Sequence, residues 1–382
     1  MNSPVCQMFD IEFPLLAFSH CRDVVVEVSK AGGMGVLGAA SMTSAQLEIE
    51  LNWIDDHIQG KPYGVDLIVP ESMLGKGETP RVEKLLAMIP GQHKDFVEHV
   101  LATHQIDASD IDDSARARYL WAALNLSDEG ALDLLKVAFA HPIKLIANAL
   151  GVPPPYMLEM ARDNHVVAAA LVGSKEHAIR QVQAGVDLLI ASGTEGGGHC
   201  GNVSSMVLIP EVVEAIKPYG HVPILAAGGI VTGRQMAAAM AMGASGAWTG
   251  SVWLTTIEAE MPRALKEKML KAGSADTVRS RSRTGKHSRQ LRSEWTEAWE
   301  QPGSPEPLPM PLQTVVTGPA LEKIDKLADG GHAGARALAT YWVGQGVGMM
   351  NNTLSVRAVV QEFKEDFLAA SERLNAFVES VG

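Results

Sequence analysis

The chain has 382 residues, 46% hydrophobic and 20% charged, enough for one barrel with additions or for two smaller domains. A net charge of −12 argues against general nucleic-acid binding, because phosphate backbones attract cationic surfaces. Cys6, Cys21 and Cys200 are odd in number and widely spaced, without a CxxC pair, so the expectation is free thiols in a reducing compartment and no metal site. Residues 1–9 have neither a basic start nor an apolar signal core, and no run of about 18 apolar residues reads as a membrane span. The composition predicts a cytoplasmic enzyme acting on a small molecule.

In chain order, residues 13–18 read as strand one, 23–31 as an amphipathic helix stopped by Gly32-Gly33, and 34–39 as strand two. Leu47, Leu51, Ile54 and Ile58 recur at helical spacing through 44–58, and 63–69 follows as strand three. Residues 70–141 break the rhythm with many charges, Pro70, Pro80 and Pro90, and are read as an inserted helical segment. The alternation resumes with strand four (143–149), a helix (154–164), strand five (166–172), a helix (175–184) and strand six (186–191). A helix over 207–217, strand seven (224–227), a helix from near Arg234 and strand eight (244–249) complete it. Eight strands separated by helices predict a closed parallel TIM-type (β/α)8 barrel over an open sheet. The expected division is a barrel from 10–69 and 142–255, a helical insertion at 70–141 after strand three, and a C-terminal extension at 256–382.

That extension opens with the basic run Arg279-Ser-Arg-Ser-Arg-Thr-Gly-Lys-His-Ser-Arg-Gln-Leu-Arg292. Charge runs are usually solvated loops; the sharper reading is an electropositive lip for an anionic substrate or its carrier group. Residues 302–311 are proline-rich and read as an extended linker, and 321–327, 336–343 and 354–378 read as helices covering the barrel.

Chemistry concentrates where strands empty into glycines. Strand six leads into Ile190-Ala-Ser-Gly-Thr-Glu-Gly-Gly-Gly-His-Cys-Gly201, a loop that can approach a ligand closely and present one imidazole. Strand seven ends in Gly228-Gly229 and strand eight in Gly250-Ser251; backbone N–H groups at such turns suit a phosphate. In a (β/α)8 barrel that cradle follows the last two strands, with catalytic groups at the C-terminal ends of others. A solvated histidine on a flexible turn is the bland alternative for 190–201. His20 and His141 read as structural or solvated, and Cys200 as a bystander beside His199.

The segments Phe13-Pro-Leu-Leu-Ala17, Val28-Ser-Lys-Ala-Gly-Gly-Met-Gly35, Lys61-Pro-Tyr-Gly-Val-Asp66, Gly193-Thr-Glu-Gly-Gly-Gly-His199, Ala226-Ala-Gly-Gly-Ile230 and Tyr341-Trp-Val-Gly-Gln345, in this order and spacing, resemble the nitronate monooxygenase family, once called 2-nitropropane dioxygenases. FMN-dependent enoyl-acyl carrier protein reductases share the pattern. The resemblance implies FMN bound without a covalent link, and His199 beside its ring. It also implies that Ala17, Phe18 and Ser19 pass beneath the ring, that Gly197 and Gly198 approach it, and that Gly228, Gly229, Gly250 and Ser251 hold the phosphate. Asp66 and Ser192 stand where the family commonly has an asparagine and an acidic or amide residue. A carboxylate at Asp66 would oppose an anionic reduced ring unless protonated or turned away.

Three functions stay open at this level. One is nitronate oxidation with O2; another is NAD(P)H-dependent reduction of an enoyl or other acyl thioester linked to CoA or a carrier protein; the third is a barrel that binds FMN or a phosphorylated ligand without turnover. Both catalytic readings use His199 as an acid, base or anion-holding group, so residue type does not separate them. Oligomeric state is not indicated.

Overall fold

The computed structural model describes residues 1–69, 82–120 and 128–379. Part of the expected insertion, including Pro70 and Pro80, lies outside them. Strands are β1 (Leu15–Ser19), β2 (Met34–Gly38), β3 (Tyr63–Leu67), β4 (Leu145–Asn148), β5 (Val167–Val172), β6 (Leu188–Ser192), β7 (Gly198–His199), β8 (Ile224–Ala227), β9 (Gly246–Thr249), β10 (Thr277–Ser280) and β11 (Ser288–Leu291). A closed parallel barrel runs β1-β2-β3-β4-β5-β6-β8-β9, with β9 pairing back to β1. All its strands therefore present their C-terminal ends at one mouth.

The barrel closes because side chains alternate between two apolar surfaces. Leu16, Met34, Val36, Leu145, Ala147, Leu188, Ile190, Leu225 and Trp248 fill the interior, while Leu15, Leu37, Val65, Ile146 and Leu189 face the helices. The helix Pro4–Phe9 supplies Val5, Cys6 and Phe9 to the interior cluster, and the Ser3 hydroxyl donates to Ser245 O just before β9, so this helix closes the end opposite the mouth. Several barrel glycines are required by close approach. A Cβ on Gly35 would collide with the Val25 backbone, which lets the helix Arg22–Lys30 lie directly on β2.

Two boundaries differ from the sequence reading. The helix Asp128–Phe139 is not part of an insertion: Ala131, Leu134, Leu135 and Ala138 belong to the core between barrel and helices, making it the helix that links β3 to β4. The helix Val356–Glu379, expected in the C-terminal extension, belongs to the barrel itself: it covers its side as the last member of the outer ring, following β9. Its Asp366 accepts from the Arg234 backbone and guanidinium, both at 2.7 Å, and its Lys364 donates to Ala31 O at 2.9 Å. The sequence reading marks 354–378 as a helix and places 128–139 within a helical segment without bounds; it cannot say which surface either buries.

The helices at 82–117 and the region 295–339 share a second core, with Val97, Leu101, Trp295, Trp299, Val315, Ile324 and Leu338 buried together. Two segments far apart in sequence thus form one helical satellite. The helix Ala333–Leu338 stops short of the expected 336–343, because Trp342 bridges to Gln290 instead.

Candidate active site at the barrel mouth

The basic run is not a solvated loop. Residues 277–291 form a β10–β11 hairpin whose second strand pairs antiparallel with β7, Ser288 opposite His199 and Arg289 opposite Gly198. Arg289 is buried, donating through Nε to Thr194 O (2.8 Å) and through Nη1 to Thr277 Oγ1 (3.1 Å). Arg283 donates to Thr340 O at 2.8 Å and lies 4.7 Å from the Trp342 ring centre and 5.5 Å from that of Tyr341. Arg279 donates to Asn202, and Arg281 pairs with Glu306. Of the lysines and arginines in this run, Lys286 and Arg292 leave their charged heads exposed without a partner among the described residues. Arg289→Gln should therefore lower stability by roughly 2–4 kcal/mol, a cost set by orphaned buried acceptors. A melting temperature equal to wild type would show that these bonds carry no weight.

The hairpin holds the candidate catalytic histidine. His199 Nε2 lies 2.8 Å from Thr284 Oγ1 in the hairpin turn, leaving Nδ1 as the free ring nitrogen. Burial, aided by the Lys286 charge, lowers its pKa to about 4, so the imidazole is neutral at pH 7. This disfavours an imidazolium that holds an anion and favours a neutral acid–base group. Cys200 beside it is pushed up by burial and stays a thiol, its Sγ directed at Thr194 O.

The glycine turns meet on the other side of the mouth. Gly228 and Gly229 take left-handed φ of 98° and 71°, and a Cβ on Gly228 would lie 2.8 Å from Gly193 N. Gln235 braces the turn: its side chain accepts from Val231 N and Thr232 N and donates to Gly229 O at 2.9 Å. Glu195 ties the β6 loop to the same place, accepting from Ser205 N, while the Ser205 hydroxyl lies 3.0 Å from Gly228 O. Ser251 Oγ accepts from Gly344 N (2.8 Å), and Gln345 N donates to Glu195 O (2.8 Å). The glycine segment at 344–348 thus seats its first turn against the β9 and β6 loops.

Asp66 projects into the upper barrel, since its neighbours Val65 and Leu67 face the helices. Its carboxyl is buried with no side-chain hydrogen bond among the described residues, and burial pushes it well above the ordinary range. A neutral carboxyl here is a donor aimed at the mouth, which removes the repulsion that an ionised one would exert on a ligand anion. Because the folded pKa is raised, ionising Asp66 costs stability as pH rises through that value. Asp66→Asn is expected to stabilise the cofactor-free protein in alkaline but not acidic buffer, and a parallel pH–stability profile for the two proteins would refute it.

Phe18 stacks on Trp248 (6.2 Å between centres) and meets His20 edge-on at 5.1 Å; His20 Nδ1 lies 2.8 Å from Gly38 O. His141 bonds Asp55 at 2.6 Å on the barrel exterior, a structural role. Ser192 and His199 line one cavity of about 360 Å³ that opens at the ends of β4, β5 and β6. The C-terminal ends of their strands thus bring Ala17, Phe18, Ser19, Asp66, Ser192, Gly228, Gly229, Gly250 and Ser251 to one mouth, and β7 with the loop before it carries Gly197, Gly198 and His199 above it. Sequence reasoning missed Thr284 and Gln235, and quoted Glu195 and Gly344 within motifs without giving either a role at the site. Only Gln235 left a readable signal, the Thr232-x-x-Gln235 capping box.

A parallel barrel with glycine turns after its last two strands and a neutral histidine at the mouth has the layout of a small-molecule enzyme. The sequence pattern of the family described as Nitronate monooxygenase matches residues 3–366, and the chain belongs to that family, whose members are flavoproteins. It is 48% identical over 380 residues to "Putative monooxygenase Rv1533" of Mycobacterium tuberculosis, covering 99% of this chain and 100% of that one. It is 27% identical over 310 residues to "Probable nitronate monooxygenase" of Staphylococcus saprophyticus, covering 77% and 80%. Two solved structures share the fold: a nitroalkane oxidase from Streptomyces ansochromogenes (TM-score 0.76, 24% identity, 97% and 99% covered) and FabK from Thermotoga maritima (TM-score 0.72, 23% identity, 99% of each). No helix among the described residues is long and apolar enough to cross a membrane.

Proposed function

We propose that the chain is an FMN-dependent monooxygenase that oxidises alkyl nitronates with O2, with His199 as its acid–base residue. The observation that carries this reading is the neutral imidazole of His199 opening, with Ser192, into a cavity at a mouth whose other side carries two glycine turns.

The residues fit the cofactor on two counts. An added Cβ at Gly250 would touch only Phe18 Cδ1, at 3.8 Å, so the β9 turn faces open space, and Gly228-Gly229 sit in conformations that keep side chains out of the same space. Gly228, Gly229, Gly250 and Ser251 would hold the phosphate, Ala17–Ser19 and Gly197-Gly198 would flank the ring, and neutral Asp66 would donate a hydrogen bond to it. Bound FMN supplies an electron acceptor for the substrate and a route to O2.

The chain's own residues do the rest. A neutral His199 accepts at Nδ1 the α-proton of a nitroalkane, whose C–H electron pair passes into the nitro group to give the nitronate, while Thr284 fixes the ring through Nε2. The β10–β11 hairpin screens this exchange from water on one side. Anaerobic mixing of the flavin-loaded protein with a nitronate, NADH and NADPH tests the proposal. Bleaching by the nitronate alone is the expected result. Bleaching by a pyridine nucleotide alone would make the enzyme a reductase, absence of bleaching would make it a binder, and a purified protein that neither carries nor takes up FMN would defeat both catalytic readings.

A further inference from the structure

The mouth cavity has a second half that the proposed chemistry does not use. Beyond His199 its wall carries Arg180 and His177, from the helix Lys175–Ala184, and Lys286 and His287, from the turn of the β10–β11 hairpin. No carboxylate lines it, in a chain whose net charge is −12. All four side chains are exposed, and among the described residues none has a side-chain hydrogen bond or ion pair. By contrast Arg281, Arg283 and Arg289, in the same hairpin, are each bonded. Gln181 supplies an independent sign of a missing ligand: its Nε2 donates to Gly151 O at 2.9 Å, but its Oε1 is buried without a donor. None of Gly228, Gly229, Gly250 or Ser251 lines this cavity, so it is separate from the turns assigned to the FMN phosphate.

We infer that this wall is a subsite for a phosphoryl group carried on the tail of the substrate, an inference that rests on reading the His199 end as the reacting end. Two side chains that are cationic at neutral pH, contributed by two elements, match the charge of a phosphate dianion better than that of a monocarboxylate. The imidazoles of His177 and His287 add donors, and Gln181 Oε1 takes a hydroxyl or N–H of the same ligand. The substrate class is then a phosphate ester whose oxidisable carbon lies at His199, rather than a simple nitroalkane anion.

Propyl phosphate, which has no reacting carbon, isolates this subsite. Isothermal titration of FMN-loaded protein, with the flavin phosphate site already filled, should give a saturable, salt-sensitive dissociation constant for it. Arg180→Gln and Lys286→Gln should each weaken binding by about ten-fold or more, the effect of one charge-assisted hydrogen bond, with flavin content and melting temperature held at the wild-type level. Butyrate should bind at least about ten-fold more weakly than propyl phosphate. No binding by wild type, equal binding by the variants, or butyrate binding as tightly as propyl phosphate would overturn the inference. Loss of FMN from either variant would also overturn it, by assigning the cations to the cofactor. The titration reads binding alone, so its failure leaves nitronate bleaching untouched, and a failure of bleaching leaves the titration standing.

Discussion

Replacing His199 with alanine is expected to leave FMN bound and to lower turnover of a neutral nitroalkane by about two to four orders of magnitude, or roughly 3–5 kcal/mol of barrier. Retention follows because the residues assigned to the phosphate act through backbone, on the opposite side of the mouth from His199. The loss follows because the other titratable groups lining that cavity are the Cys200 thiol, kept protonated by burial, and the exposed His177, Arg180, Lys286 and His287. Two pH effects accompany it. With a folded pKa of about 4, the imidazole is already deprotonated across the neutral range, so kcat should not fall through the His199 titration until the buffer approaches that value. In the cofactor-free protein the same depression means that the unfolded chain binds more protons between about pH 4 and the ordinary histidine value near 6.5; stability is lost as pH falls through that window, and His199→Ala should flatten the loss. Oxygen-electrode rates and chemical denaturation across pH 4–8 measure both. Full activity in the alanine variant would make His199 a bystander.

The second large effect separates a glycine needed by the fold from one needed by the ligand. Gly228→Ala puts a methyl 2.8–2.9 Å from Gly193 N and O and Ser205 Oγ, at a φ of 98°. It should cost roughly 1–3 kcal/mol of stability and disturb the flavin site with it. Gly250→Ala has φ of −128° and meets only Phe18 Cδ1 at 3.8 Å, so its melting temperature should match wild type. Its methyl nonetheless enters the space assigned to the FMN phosphate, and flavin affinity should fall by about 100-fold, the equivalent of about 2.7 kcal/mol. Flavin content after desalting, set beside thermal unfolding of the flavin-free proteins, distinguishes the two. A Gly250→Ala protein that keeps its flavin would move the phosphate elsewhere.

Much of the fold was legible because the barrel is written in local period. Strands such as 224–227 and the helix at 175–184 agree with the structure to the residue, since each is a short apolar run or an amphipathic stretch bounded by glycine, proline or a cap. The glycine–histidine loop and the two glycine turns were legible for a similar reason: only glycine tolerates the conformations at Gly228 and Gly229, so the requirement is stored in residue type.

What the chain order could not store is partnership between distant segments. Asp128–Phe139 and Val356–Glu379 carry helical periodicity, but the choice between barrel and satellite depends on which apolar surface is left uncovered. The arginines of 279–292 read as solvated because a run of charge has no local signal for burial. Arg289 is buried only because Thr194 O and Thr277 Oγ1, 95 and 12 residues away, converge on it. The neutral state of His199 is of the same kind. Sequence by itself determined that an imidazole stands at the mouth of a parallel barrel; tertiary structure decided its protonation, by stacking a hairpin from 80 residues further on against it and excluding the water that would stabilise its charge.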